Sequence, residues 1–273
     1  MYLSSFIDLC AFLNSLNIKY EIEGNSAIIP DRNLRIMMNH VIGHPDKNHN
    51  QTIVKNSKYR VLQIWEDSWE VNDETIKRFL SNLLSLNVAR IGARKTEVRP
   101  VDNDEFSTFL NENHLQGECV SSVRIGLYYN DELVSVMGFK KQASNTKPYA
   151  PGVGYELIRF ANKNVSGAFS KLMKHFERLK FSNYVISFAD LETVSAGKNV
   201  YSSNGFSFVK EIPPDYKYFN FRTHVREHKF KWRKSTFEKL GMDITGKTEN
   251  DLYKEHKLIQ CWDSGKILYI KTS

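Results

Sequence analysis

The chain has 273 residues, 41% of them hydrophobic and 25% charged, which suits a globular protein with a packed core and room for one large domain or two small ones. No run of about 18 apolar residues occurs, so no membrane-spanning helix is expected. The net charge is +7, and Arg222 to Lys239 carries seven Lys/Arg against two Glu, a concentration that points to a polyanionic partner or to a solvated helix face.

"MYLSSFIDLCAFLNSL" opens the chain as an amphipathic helix, with Phe6, Leu9, Cys10, Leu13 and Leu16 on one face. It carries Asp8 and no basic leader, so it does not read as a signal peptide. Strands are expected at 18–23, 27–29 and 34–38. The polar stretch 43–58 reads as a loop. "YRVLQIW" (59–65) reads as a buried strand, and Glu66-Asp67 follow it directly. Asn72 is a candidate helix N-cap with Asp73 and Glu74 behind it, and Ile76, Phe79, Leu80, Leu83 and Leu84 form the apolar face of that helix. A domain boundary is expected near 87–93.

The next unit starts with the strand "RKTEVRPV", followed by a helix that buries Phe106, Phe109 and Leu110. "VSSVRIGLYYNDELVSVMGF" is a hairpin turning at Asn130-Asp131. "YELIRFANK" is a strand, Gly167 opens a helix carrying Phe169, Leu172, Met173 and Phe176, and "YVISFAD" is a buried strand. A helix from about Ser195 stops at Gly205 as its C′ glycine. "FSFVKE" and "YKYFNF" are expected to finish a mixed sheet with helices on its faces. The last part is expected to be a basic helix (220–239), a turn, a short helix and the strand-like "KILYIK". The fold class is therefore α/β (α+β), in three consecutive blocks, 1–88, 89–221 and a basic helical extension 222–273. Cys10, Cys119 and Cys261 form neither a metal-spaced pair nor a disulfide framework, which fits a reducing cytoplasm.

Two resemblances follow from these motifs. "YELIRF", "VSGAFSKLMKHF" and the Tyr-x-x-x-Gly-Phe of Tyr201, Gly205 and Phe206 resemble the GNAT-type acyltransferase fold. Taken with "ARKTEV", "FLNENHLQG", "SFAD" and "WDSG", they resemble a family of phage proteins grouped with homing endonucleases, in which a GNAT-like domain follows a nuclease-like one. The first block is similar to the very-short-patch-repair (Vsr) nuclease fold through "AIIPDRNLRIMMNHVIGH" and "YRVLQIWEDSW".

The nuclease resemblance implies metal-assisted phosphodiester hydrolysis. Glu66, Asp67 and Asp31 would hold Mg²⁺, and His44 and His49 would help Glu66 and Asp67 move protons. Two acidic strand positions of that family are occupied here by Ser26 and Met37, which cannot ligate Mg²⁺. The GNAT resemblance implies acetyl-CoA held at Asn164, Gly167 and Ala168, with Tyr201 as acid and Glu156 as base. Phe169 stands where that family has a small residue, and Leu191-Glu192-Thr193 replaces a paired-arginine segment of the phage family.

Arg222, Arg226, Lys229 and Arg233 form a stripe at helical spacing. Together with Lys231 and Lys234 they are the residues expected to meet phosphates of double-stranded DNA. Three functions remain open at this point. One is a phage-encoded, DNA-binding protein of homing-endonuclease type with metal-dependent cleavage, acting in the cytoplasm of an infected bacterial host. The second is an N-acyltransferase using acetyl-CoA. The third is a catalytically inactive protein that binds a host protein. No membrane partner is expected.

Overall fold

The computed structural model describes residues 2–42, 46–84, 90–143, 148–194 and 199–272. In chain order the elements are α1 (Tyr2–Ser15), β1 (Glu21–Glu23), β2 (Ser26–Ile29), β3 (Leu34–Asn39), α2 (His49–Asn56), β4 (Arg60–Trp65), α3 (Glu66–Leu83), β5 (Ile91–Gly92), β6 (Glu97–Pro100), α4 (Asn103–Asn113), β7 (Val123–Tyr129) and β8 (Glu132–Lys141). There follow β9 (Gly154–Asn162), β10 (Val165–Ser166), α5 (Ala168–Arg178), β11 (Tyr184–Asp190), β12 (Ser207–Ile212), β13 (Tyr216–Asn220), β14 (Val225–His228), α6 (Lys234–Lys239), α7 (Glu249–Glu255), β15 (Leu258–Trp262) and β16 (Lys266–Thr272). The protein is thus a mixed α/β molecule, and none of its described helices is long and apolar enough to cross a membrane.

The compact units do not follow the three consecutive blocks. One unit comprises 1–72, 190–194 and 212–266, and the other 73–189, 195–211 and 267–273. The chain leaves the second unit after β12, builds part of the first, and returns as β16. The physical reason is strand pairing. β16 lies between β11 and β12 in a seven-stranded sheet of order β12-β16-β11-β9-β8-β7-β6, so "KILYIK" is a sheet strand and not part of an extension.

In the first unit, β1 to β4 form a sheet in sequence order. β1–β2 and β2–β3 are antiparallel and β3–β4 is parallel. Its apolar core includes Leu9, Leu13, Ile36, Met38 and Leu62, all fully buried. The expected loop at 43–58 contains α2, a short polar helix whose Asn50 is buried. The expected start at Asn72 is instead a break inside α3, where φ is −135° and ψ is 34°. The helix begins at Glu66, immediately after the strand.

A three-stranded antiparallel sheet, β14-β13-β15, completes this unit. "YKYFNF" therefore does not finish the larger sheet. The basic stretch is not one helix either, because 225–228 is a strand paired with β13 and only 234–239 is α-helical. Phe219 and Tyr218 alternate across β13 into two different clusters, and strand alternation accounts for this aromatic run.

In the second unit the hairpin turns where expected. Asn130 and Asp131 both have positive φ, 49° and 61°, as a two-residue turn matching strand twist requires. α4 starts at Asp102, whose carboxylate accepts a hydrogen bond from Glu105 N at 2.8 Å. The rings of Phe139 on β8 and Phe176 on α5 stack at 3.7 Å, which fixes α5 on the sheet. The helix expected from Ser195 to Gly205 begins in residues outside those described. Among the described residues of that stretch only a 3-10 turn, Ser202–Asn204, is present, closed by Gly205 at φ 81°.

Candidate functional site

The second unit's sheet opens between β9 and β11. These strands run parallel, but their pairing extends over only three positions, Tyr184↔Gly154, Val185↔Tyr155 and Ile186↔Glu156. β9 continues to Asn162 and β11 to Asp190. At the next position a side chain takes over, with Ser187 Oγ 3.0 Å from Leu157 O and 3.2 Å from the Tyr201 hydroxyl. The pairing of β9 with β8 shifts here too. Gly138 faces Arg159 while Phe139 faces Leu157, so Ile158 is the extra residue of a bulge. A bulge bends its strand and raises local twist, which is how β9 parts from β11.

Backbone polarity follows from strand alternation. Lys163 N donates to Val134 O of β8 at 2.8 Å. Period-two alternation then turns the N–H and C=O groups of Asn162 and Phe160 the other way, toward the opened side. Just beyond lies a tight turn, with Asn164 at φ 53° and Gly167 at φ 82°. Asn162 secures it by accepting from Val165 N and donating to Val165 O, both at 3.1 Å. Gly167 is the N-cap of α5 and supplies no side-chain cap, so the first amides of an eleven-residue helix are left for another acceptor.

Phe169 does not fill that turn. It is 5% exposed and packs inward, edge-on to Phe160 at 5.1 Å and Tyr201 at 5.8 Å. The bulky residue at the family's small position is a core residue, because the first helical turn directs it to the sheet. A second element approaches instead. Ile91-Gly92 pairs with Val165-Ser166, and Lys171 Nζ donates to Ala93 O at 2.8 Å and also to Thr96 O. An added Cβ at Gly167 would meet Ala93 Cβ at 3.6 Å, an ordinary contact distance. Only the left-handed backbone there demands glycine.

Tyr201 stands beside the opening. Its ring stacks on Tyr269 at 5.2 Å and meets Phe206 edge-on at 5.7 Å. Its backbone N–H donates to Asn199 Oδ1 at 2.9 Å. Glu156 is half-buried at the last paired position of β9. Tyr201, Glu156, Asn164, Gly167 and Ala168 thus lie on β9, the turn after it, the start of α5 and the turn before β12. Ser187 and the Ile158 bulge belong with them and were missed. A lone serine inside a buried strand has no sequence signal, and a bulge shows only in strand register.

The acidic turn of the first unit is arranged differently. Glu66 and Asp67 are 3% and 5% exposed. Glu66 accepts from Val41 N at 2.7 Å and lies 2.8 Å from His40 Nδ1. Asp67 accepts from Arg226 N at 2.9 Å and from Arg226 Nε at 2.8 Å. The same guanidinium lies 4.0 Å above the Trp65 ring. Asp31 sits exposed on a 3-10 turn and His49 exposed at the start of α2. His44 lies outside the described residues. Among the described residues, no group of three or more His, Cys, Asp and Glu side chains could hold a metal ion. The described residues therefore do not fit Mg²⁺.

The positions of the two missing acids carry no carboxylate. Ser26 pairs with Met37, and Ser26 Oγ accepts from Arg35 Nε at 3.0 Å. Met37 pairs with Gln63, whose side chain belongs to a buried amide network. Gln63 Oε1 accepts from Ser264 Oγ at 2.6 Å, Gln63 Nε2 donates to Asn50 O at 3.3 Å, and Asn50 Nδ2 donates to Trp262 O at 2.7 Å.

Nearby, Trp65 Nε1 donates to Glu192 Oε1 at 2.8 Å. Burial, reinforced by the Asp190 carboxylate, pushes the Glu192 carboxyl up to about 8. Burial also raises Asp190, which caps its own turn by accepting from Glu192 N at 3.2 Å.

The six basic residues expected at DNA are divided. Arg226 pairs with Asp67, Lys229 with Asp215 at 2.5 Å, and Lys231 with Glu227. Arg222, Arg233 and Lys234 are exposed. They do not share a helical stripe, because strand β14 and a 3-10 turn separate them.

No protein-family model and no curated protein matches the chain. The solved structures to which it is similar include GNAT acetyltransferases. An aminoglycoside 6′-acetyltransferase type Ii is 14% identical with a TM-score of 0.36, over 64% of this chain and 96% of that one. A GNAT family acetyltransferase from Elizabethkingia anophelis with acetyl-CoA bound is 14% identical with a TM-score of 0.36, over 66% of this chain and 99% of that one. An acetyltransferase from Bacillus subtilis in complex with CoA is 14% identical with a TM-score of 0.35, over 66% and 99%.

Proposed function

We propose that the second unit is an N-acyltransferase that holds acetyl-CoA at the opening between β9 and β11. The observation that carries this reading is the three-residue limit of the parallel pairing next to the Ile158 bulge. It leaves outward-facing amides on the far half of β9 and a polar hydroxyl pair, Ser187 and Tyr201, at the point of divergence. An extended chain with its own amides can add to such a strand by main-chain hydrogen bonds. The uncapped start of α5, with Asn164, Gly167 and Ala168 leading into it, suits the pyrophosphate of the same molecule.

Bound there, acetyl-CoA supplies an acyl group activated as a thioester. The chain's own residues would do the rest. The bulge at Ile158 would turn a backbone amide toward the opening, where a donor stabilises negative charge developing on an acyl oxygen. The Tyr201 hydroxyl would deliver a proton to the departing sulfur, with Ser187 holding it in place. Glu156 would take a proton from the attacking amine.

Calorimetry with acetyl-CoA on the full chain tests this. One-site saturable heat supports the reading, and a flat titration up to millimolar ligand ends it. A second reading, DNA binding by the first unit, draws on the exposed Arg222, Arg233 and Lys234 in a chain of net charge +7. Its test is the salt dependence of duplex binding.

A further inference from the structure

The first unit contains a cavity of about 300 Å³ that neither proposed function uses. Val41, Phe219 and Phe221 form apolar walls, and Glu66, Asp67 and Glu70 of α3 bring carboxylates to it. This size is at the small end of ligand-binding cavities.

Its walls are built by a hairpin loop. Between β13 and β14, Thr223 N and His224 N both donate to Asn220 O, at 3.2 and 2.8 Å, and His224 takes φ 56°. That tight reversal brings Phe221 and His224 back beside Phe219. The Phe219 and Phe221 rings meet at 81° with centroids 5.1 Å apart, and the His224 ring stands at 74° to Phe219 at 6.5 Å. Phe221 and His224 therefore each stand steeply to the Phe219 ring, making an aromatic corner.

The charge around this corner opposes that of the chain. Three acidic residues line the cavity, and the Asp67 carboxylate is neutralised by its pair with Arg226, which also donates to Ser68 Oγ. Glu66 is held by Val41 N and His40. Glu70 is exposed, and among the described residues no hydrogen bond or ion pair engages its carboxylate. α3 places Glu66 and Glu70 four residues apart on one face. In a protein of net charge +7, the cavity thus places the exposed Glu70 carboxylate beside aromatic faces.

We infer that this cavity binds a small organic ammonium ion whose charge is carried by methyl or methylene carbons. Such an ion is too weakly hydrated to prefer water strongly, and it is attracted to ring faces as well as to carboxylates. A bare metal ion would need converging oxygens, which the described residues do not provide. A phosphate-bearing ligand would be repelled by Glu70 and Glu66.

The probe pair is choline and its uncharged carbon isostere, 3,3-dimethylbutan-1-ol, titrated into the full chain by calorimetry at constant ionic strength. Choline should saturate with a dissociation constant on the order of 1 mM, and the alcohol should bind at least about tenfold more weakly. Glu70→Gln should weaken choline about fivefold without moving the melting temperature, because Glu70 is exposed and no described residue pairs with it. Phe221→Leu should weaken choline while leaving the alcohol nearly unchanged. Equal affinity for choline and the alcohol overturns the inference, since charge would then play no part. So does an absence of choline binding, or choline binding unchanged in both variants.

Discussion

The two units treat their polar groups in opposite ways. In the second, β9 and β11 separate after three paired residues and leave backbone amides, Ser187 and Tyr201 at an opening. In the first, the two acids that follow β4 are held by hydrogen bonds. Glu66 holds Val41 N and His40, and Asp67 holds Arg226 twice. Motif resemblance alone makes the acid pair look like chemistry and the glycine turn look impaired. The geometry differs from that impression, because Glu66 and Asp67 are buried and hydrogen-bonded, while Phe169 packs inward and leaves the turn at Gly167 unfilled.

The sharpest way to break this comparison is Tyr201→Phe. If the opening is the catalytic one, turnover of acetyl-CoA with an amine acceptor should fall about 10²- to 10⁴-fold. Stability should change by only about 1 kcal/mol, the worth of one hydroxyl link to Ser187. Steady-state kinetics beside urea unfolding separates the two effects. Unchanged turnover removes Tyr201 from the mechanism.

Asp67→Ala tests the other side. It leaves the Arg226 guanidinium, 11% exposed, without its carboxylate, and breaking such a buried pair costs about 3–5 kcal/mol. Urea unfolding of the first unit reads this loss. A loss under about 1 kcal/mol would mean that the acid is not structural and would reopen a catalytic role.

Glu192→Gln gives a pH signature of intermediate size. The wild-type carboxyl sits at about 8 in the folded chain, above its unfolded value. Between about pH 4.5 and 8 the folded state holds a proton that the unfolded state has released. Wild-type stability should therefore be full below that window and fall as pH rises through it. Gln keeps an acceptor for Trp65 Nε1 and cannot ionise, so the variant's melting temperature should vary less between pH 5 and pH 8. Parallel pH profiles would show that Glu192 is not the group responsible.

The smallest effect concerns DNA. Among the described residues, three of the six basic side chains stand exposed without an ion pair (Arg222, Arg233 and Lys234). If they meet phosphates, replacing all three by Ala should reduce the salt slope of duplex binding by about 3. An unchanged slope assigns the contact elsewhere.

What was legible in the sequence was local. The Asn130-Asp131 hairpin, the glycine that opens α5 and the apolar face of α1 rest on neighbouring residues, and each is present. What was not legible depends on partners far along the chain. Arg226 reads as part of a helical stripe because spacings of four and seven also occur by chance in a strand and turn. Its actual partner, Asp67, is 159 residues away. The interruption of the second unit between β12 and β16 is likewise invisible locally, since "YKYFNF" and "KILYIK" are equally good strands. Of the opening itself, Tyr201 and Gly167 carried a motif, while Ser187 and the Ile158 bulge carried none.

Hydrogen exchange of the full chain with and without acetyl-CoA tests the central claim most directly. The opening between β9 and β11 predicts that amides in 157–162 and at the start of α5 become slower to exchange on binding, while β3 and β4 of the first unit stay as they were. Unchanged exchange across 157–162 at saturating acetyl-CoA would contradict it.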